Sequence, residues 1–260
     1  RDASLLLMKA AGFGEAVLWS SLDERIPPPA EARFRRLVDK RRARFPLALL
    51  TEEKEFWSLS FRIFPGVFIP RPETEHLVEV ALRLSPRRGR PVIIEAGTGS
   101  GCIAIALARE LPSARIFAID RSRRAIRAAK FNAARHGITS VTWLEGDLFV
   151  PLAGRAAAGK ADLVLSNPPY IPDAEWGRLD PEVRKHEPWS ALAGGPDGLD
   201  FIRRLAAGAR TRLRRGGWLV FEVGAGQDQS AFALFGEDWE SPRADPDLAG
   251  ISRVISVRRR

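Results

Sequence analysis

The sequence predicts an α/β protein, with helices alone over the first 55 or so residues and strands alternating with helices after them. Three observations carry that prediction. Residues 91–95 form a short β-branched run that ends in Ala96-Gly97-Thr98-Gly99-Ser100-Gly101 and then opens an apolar helical stretch. Residues 163–166 form a second apolar run, stopped abruptly by Asn167-Pro168-Pro169-Tyr170. Between these runs the apolar period switches between helical and extended values, as βα units require.

Composition bounds the rest. At 260 residues the chain can hold one substantial core and a small extra domain. Hydrophobic content of 45% and charged content of 28% are those of a soluble globular protein. No apolar run approaches a membrane span and no signal peptide is visible, so a cytoplasmic protein is expected. The chain opens on Arg1 rather than methionine, and a preceding N-terminal piece is expected. One cysteine, Cys102, excludes an internal disulfide and every Cys-cluster metal site. His76, His136 and His186 are scattered and form no ligand set, so no metal is expected. The net charge of +9 invites a nucleic-acid partner. However, Arg35-Arg36, Arg41-Arg42, Arg87-Arg88, Arg123-Arg124, Arg214-Arg215 and Arg258-Arg259-Arg260 are spread over the chain. That dispersal fits solvated surface charge with mild attraction to an acidic partner.

Taken in order, residues 4–11, 15–22 and 30–44 carry apolar faces at helical spacing, with Pro27-Pro28-Pro29 as a break. From Glu55 the period shortens. Phe56, Trp57, Leu59, Phe61, Ile63 and Phe64, followed by Val67, Phe68 and Ile69, surround Pro65-Gly66 and predict a hairpin turning there. Pro72 followed by Glu73 and Glu75 starts a helix over 76–84. Arg71 stands between two prolines as a rigidly presented cation. Strands follow at 91–95, 114–119, 141–144 and 163–166, with helices over 102–111 and 122–136. Residues 171–198 form a polar, proline-punctuated insert beside the Asn-Pro-Pro-Tyr loop, the kind of segment that covers a site. A helix over 199–213, a strand over 218–223 and a last strand over 251–257 complete the chain.

The loop at Asn167 carries the chemistry. Pro168 precedes another proline, so it is pushed into extended geometry and its carbonyl stays free to accept a hydrogen bond. Beside it is the Asn167 side chain. Two fixed acceptors are what a planar NH2 group needs. Its lone pair is delocalised, and on attack the nitrogen pyramidalises and gains positive charge. Carbonyl oxygens aimed at its hydrogens stabilise that charge more than the ground state. Tyr170, the only tyrosine, can lie against the planar group. A plain strand-ending turn is the bland alternative. Asn-Pro-Pro-Tyr directly after a buried strand is the signature of methyltransferases that use S-adenosylmethionine on amino or amide nitrogens.

The glycine turn agrees. A dinucleotide fingerprint would need its third glycine at the position of Cys102, so pyrophosphate binding is disfavoured and an S-adenosylmethionine pocket fits better. Asp120, at a strand end, can accept from both ribose hydroxyls. Asp147 can accept from the adenine amino group, with Leu148 and Phe149 walling the base. Each acid taken singly could be a capping residue. Cys102 reads as a small core residue.

These residues resemble the protein-(glutamine-N5) methyltransferases that modify peptide chain release factors, the HemK or PrmC family. The matching residues include Glu55-Phe56-Trp57, residues 68–75, 97–105 and 166–171, Gly194-Gly195-Pro196-Asp197-Gly198-Leu199, Glu222-Val223-Gly224 with Gln227, and Asp247-Leu248-Ala249-Gly250. The chain departs from the usual pattern at Glu95-Ala96, Ala193 and Ser252. The resemblance implies a class I S-adenosylmethionine-dependent methyltransferase fold, Rossmann-like with a seven-stranded sheet. It implies a helical recognition domain over 1–54, a hairpin connector over 55–70 and a methyltransferase domain over 71–260. It places cofactor contacts on Glu95, Gly97, Thr98, Gly99, Ser100, Gly101, Asp120, Asp147, Leu148 and Asn167. Catalysis falls to Asn167, Pro168, Pro169 and Tyr170, which with Arg71 also bind the substrate. The implied substrate is the glutamine of a Gly-Gly-Gln motif in class I release factors 1 and 2, met by a monomeric enzyme. Two other readings share the loop: a nucleic-acid amino-methyltransferase, and a non-catalytic module binding S-adenosylmethionine or RNA.

Overall fold

The structure, a computed structural model, describes residues 1–86, 89–154, 160–240, 242–247 and 249–260. The Arg87-Arg88 pair and Leu248 lie outside the described residues. Four helices open the chain: α1 (Asp2–Ala11), α2 (Glu15–Ser20), α3 (Pro28–Arg42) and α4 (Leu47–Thr51). Their small core is Leu6, Ala10, Leu18, Ala30 and Leu50. Pro28 and Pro29 sit in the first turn of α3, where a missing N–H costs nothing. Lys40, Arg41 and Arg42 close its last turn, favourably for the helix dipole.

A hairpin follows, β1 (Glu53–Phe56) and β2 (Leu59–Arg62). It turns at Trp57-Ser58, with φ of 53° and 54°, and not at the expected Pro65-Gly66. Neither residue favours left-handed backbone, so the turn is held from outside. The Trp57 N–H donates to Glu75 Oε1 at 2.8 Å, and its indole Nε1 donates to Glu110 Oε1 at 3.0 Å. Asn132, fully buried, accepts from the Arg62 N–H at 2.8 Å and donates back to the Arg62 carbonyl at 3.2 Å.

The main unit begins with a 3₁₀ turn, Pro72–Thr74, and α5 (Glu75–Leu84). Its elements then run β3 (Val92–Ala96), α6 (Cys102–Glu110), β4 (Arg115–Asp120), α7 (Arg123–Arg135), β5 (Val141–Glu145), β6 (Ala161–Ser166), α8 (Pro181–His186), α9 (Asp200–Arg212), β7 (Leu213–Glu222), α10 (Asp228–Phe232), β8 (Arg243–Pro246) and β9 (Ser252–Arg258). Among the described residues seven of these strands form one sheet in the order β5-β4-β3-β6-β7-β9-β8. The first five are parallel, and β9 runs antiparallel to both neighbours. Strand side chains alternate between two cores. Ile93, Leu163, Leu165 and Val220 pack with α5 and α6, while Ile94, Val164, Leu219 and Phe221 pack with α9. Both faces are covered, which is why the strands read as continuous apolar runs.

The chain moves outward through β3, β4 and β5, then restarts at β6 on the other side of β3. Strand order therefore reverses between β3 and β6, and the crevice beyond their carboxyl ends is where open α/β sheets bind ligands. The insert over 171–198 is less irregular than expected. It holds 3₁₀ turns at Asp173–Arg178 and Trp189–Ala191 with α8 between them. Among the described residues, no helix is long and apolar enough to cross a membrane.

Candidate active site

A cleft of about 1040 Å³, counting its open mouth, lies at that reversal. One wall is the glycine turn after β3, and another is the loop after β6. Gly66, Phe68, Pro188 and Ala191 close it from the connector and the insert. Gly97, Gly99 and Gly101 all have positive φ, of 77°, 56° and 83°, which a side chain would strain. At Gly99 the space a Cβ would take is open, so backbone faces the cleft. At Gly101 a Cβ would sit 2.9 Å from that of Ala129, so this glycine serves helix packing instead.

Asp120 reaches the turn from β4. Its Oδ2 accepts from the Gly99 N–H at 2.9 Å and its Oδ1 from the Ser122 N–H at 2.8 Å. Burial pushes its carboxyl above the ordinary aspartate value, and those two N–H bonds oppose the push. Each oxygen keeps a lone pair for a hydroxyl. Asp147 and Leu148 line the cleft, with Leu148 in left-handed backbone at φ 45°. Asp147 is ion-paired with Arg204 of α9. Phe149, expected beside it, faces away. It packs on Gly208 of α9, where an added Cβ would meet its ring at 2.3 Å.

Asn167 begins the loop as soon as β6 ends. Ser166, buried, donates to the Ala96 carbonyl at 2.8 Å and so fastens β6 to the start of the glycine turn. The Asn167 Nδ2 donates to Thr74 Oγ1 at 2.8 Å, and Thr74 donates on to Glu222 Oε2 at 2.7 Å. Among the described residues nothing donates to Asn167 Oδ1 or to the Pro168 carbonyl. Asn167 and Pro169 line the cleft. Tyr170 donates its hydroxyl to Glu222 Oε1 at 3.1 Å, and its carbonyl accepts from Gln227 Nε2 at 2.9 Å. Burial pushes the Tyr170 hydroxyl pKa up, and the neighbouring Glu222 charge pushes it further.

Of the expected site residues, Glu95, Gly101, Pro168, Tyr170 and Arg71 do not line the cleft. Glu95 points into the apolar layer beside α6 and is 0% exposed. Its Oε2 accepts from Thr98 Oγ1 at 2.8 Å, while among the described residues no hydrogen-bond partner reaches Oε1. Burial raises its pKa to about 7, with Thr98 pulling down and Asp120 pushing up. Arg71 does not present a free cation. It is ion-paired with Glu187, and its guanidinium lies 5.0 Å from the Phe68 ring centroid. Cys102 is buried with its thiol pushed up to about 12 by desolvation first, so it is inert.

Residues 90–194 match the family described as a methyltransferase domain, and residues 1–51 the PrmC N-terminal domain. A release factor glutamine methyltransferase of Geobacter sulfurreducens is 42% identical over 260 residues, covering 99% of this chain and 88% of its own length. The chain belongs to the release factor glutamine methyltransferase family. A second member, from Moorella thermoacetica, is 42% identical over 263 residues, covering 100% of this chain and 91% of its own. For the fold alone, a methyltransferase of Pyrococcus furiosus superposes with a TM-score of 0.59 at 15% identity, covering 85% of this chain and 98% of its own.

This is therefore an S-adenosylmethionine-dependent methyltransferase, and the residues present fit that cofactor. The glycine cradle leaves open space at Gly99, a carboxylate stands at the end of β4, and Leu148, Ile119 and Phe201 offer apolar walls. Residue-by-residue reading of this methyltransferase missed the roles of Thr74, Glu222 and Asn132. Thr74 and Glu222 lie in runs that match the family and Asn132 looks like an ordinary helix position, but none shows its role locally because the partners are far away in sequence.

Proposed function

We propose that this methyltransferase modifies N5 of the glutamine in the Gly-Gly-Gln motif of class I release factors 1 and 2, in the cytoplasm. The acceptor amide lies against Asn167, Pro168, Pro169 and Tyr170. The observation that carries this is a pair of uncommitted acceptors, Asn167 Oδ1 and the Pro168 carbonyl, on a rigid loop beside the cleft. When bound, S-adenosylmethionine supplies an electrophilic methyl group. The residues to hold it are Gly97, Thr98, Gly99, Ser100, Asp120, Asp147, Leu148 and Asn167, with Gly101 letting the turn pack closely on Ala129 of α7. Glu95 contributes from behind, by fixing Thr98. Asn167 and Pro168 hold both amide hydrogens and stabilise the positive charge that develops on nitrogen. Once its lone pair is used the nitrogen is acidic, so water takes the proton and no general base is required.

Residues 1–54 act as the docking domain, 55–70 as connector and 71–260 as catalytic domain. Mass spectrometry of release factors treated with enzyme and labelled cofactor tests this directly. One added methyl on the Gly-Gly-Gln glutamine is expected. Label in RNA or DNA, with none in either factor, would count against it. Asn167→Ala should lower kcat by about 10²–10³ while leaving cofactor affinity near normal.

A further inference from the structure

The hydrogen bonds behind the loop have a direction. Glu222, at the end of β7, is 2% exposed, and both its oxygens are used, Oε2 by Thr74 and Oε1 by Tyr170. Thr74 is buried to the same degree at the end of its 3₁₀ turn. A hydroxyl has one proton to give. Because Glu222 takes it, Thr74 can meet Asn167 only with a lone pair. Asn167 must then turn its NH2 toward Thr74, as it does at 2.8 Å, which leaves Oδ1 as the end free for a ligand. An Asn with the opposite orientation would offer a donor to a group that itself brings only donors.

We infer that Thr74 and Glu222 are positioning residues that set the polarity of Asn167, with Glu222 holding Tyr170 at the same time. The inference rests on the reading that Asn167 Oδ1 receives the acceptor amide. Neither residue touches the reacting atoms. Their contribution is to remove one of the two orientations of a nearly symmetric side chain. Burial pushes the Glu222 pKa above the ordinary glutamate value and Glu73 adds to the push, while hydrogen bonds from Thr74 and Tyr170 and the charge of Arg253 oppose it. The acceptor role of Glu222 rests on geometry, with the Thr74 hydroxyl at 2.7 Å from Oε2 and the Tyr170 hydroxyl at 3.1 Å from Oε1. Gln at 222 would keep the volume and lose the direction, since an amide can present either a donor or an acceptor to Thr74.

The test is a cycle on the intact enzyme with a Gly-Gly-Gln peptide and an intact release factor as acceptors. Thr74→Val should lower kcat by about 10–100-fold, with cofactor affinity by calorimetry within about twofold of wild type. Thr74→Ser, which restores the hydroxyl, should recover most of the rate. Glu222→Gln should fall at least as far as Thr74→Val, and it carries the test should the valine variant fail to fold. In an Asn167→Ala background, Thr74→Val should cost less than about twofold more, because its effect passes through Asn167. Equal losses in both backgrounds, or a folded Thr74→Val enzyme at wild-type kcat, would overturn the relay. Wild-type enzyme inactive on every glutamine acceptor but active on another amine would overturn the substrate reading instead, and the same cycle on that amine would still judge the relay.

Discussion

Glu95 sits on β3 between Ile94 and Ala96, so strand alternation drives it into the layer under α6, where its neighbours are apolar. Desolvation there favours the protonated carboxyl, which is why its pKa rises to about 7. A raised folded-state value has a defined sign. The contribution is present in full below the ordinary glutamate value and is lost as pH climbs through about 7. Comparing wild type with Glu95→Gln by urea denaturation should therefore show a pH-dependent difference. From pH 5 to pH 8 the wild type should lose on the order of 3 kcal/mol relative to the amide variant. A difference that stays constant over that range would show that the carboxyl titrates normally. Asp120 makes a second residue-scale case. Its carboxylate both shapes the glycine turn through the Gly99 N–H and faces the cleft. Asp120→Ala should weaken cofactor binding by about 1.5–3 kcal/mol, read by calorimetry. Unchanged affinity in a folded variant would reject the ribose assignment.

At the scale of elements, a buried carboxylate ties the insert between β6 and α9 to the connector. Glu187 accepts from the Ile69 N–H at 3.2 Å and pairs with Arg71, so it joins the end of α8 to the connector. Pro188, Ser190 and Ala191, which follow it, line the cleft. Glu187→Ala leaves a buried N–H and a half-buried guanidinium without their acceptor, at a cost of about 1–3 kcal/mol. Limited proteolysis should then nick residues 171–198 faster than in wild type. An unchanged digestion pattern with an unchanged melting point would remove the latch from the account. This latch was legible only as an oddity, a cation between two prolines, because its partner lies 116 residues away. The same limit applies elsewhere. The βα units, the glycine turn and the loop at Asn167 were readable because local period and turn chemistry fix them. The hairpin turn was misplaced because tertiary bonds to Glu75 and Glu110 overrule the Pro-Gly signal. The edge strand β8 and the short α10 escaped because neither has a strong apolar period.

Over the whole molecule, the N-terminal helices meet the catalytic unit through the same insert. Arg41 of α3 bridges Asp2 and Glu182 of α8, at 2.8 and 2.7 Å, and Phe45 packs on His186 with ring centroids 4.4 Å apart. A partner gripping α3 is thus held close to the segment that walls the cleft. Arg33, Arg36 and Lys40 lie on one exposed face of α3 and form no ion pair among the described residues, while Trp19 is 60% exposed and Leu22 65%. Free cations on one helix face suit an acidic protein surface, and the net charge of +9 favours the same encounter at a distance. If residues 1–54 dock the release factor, reversing those charges should act on encounter and leave chemistry alone. The Arg33→Glu, Arg36→Glu, Lys40→Glu triple variant should raise KM for the intact factor by about tenfold with kcat near wild type. On a short Gly-Gly-Gln peptide, which cannot reach α3, kcat/KM should not change. Raising the salt concentration should narrow the gap between variant and wild type on the intact factor, since exposed charges are screened within about 10 Å at 0.1 M. Equal losses on peptide and factor would mean that the helices stabilise the catalytic unit instead of recruiting its substrate.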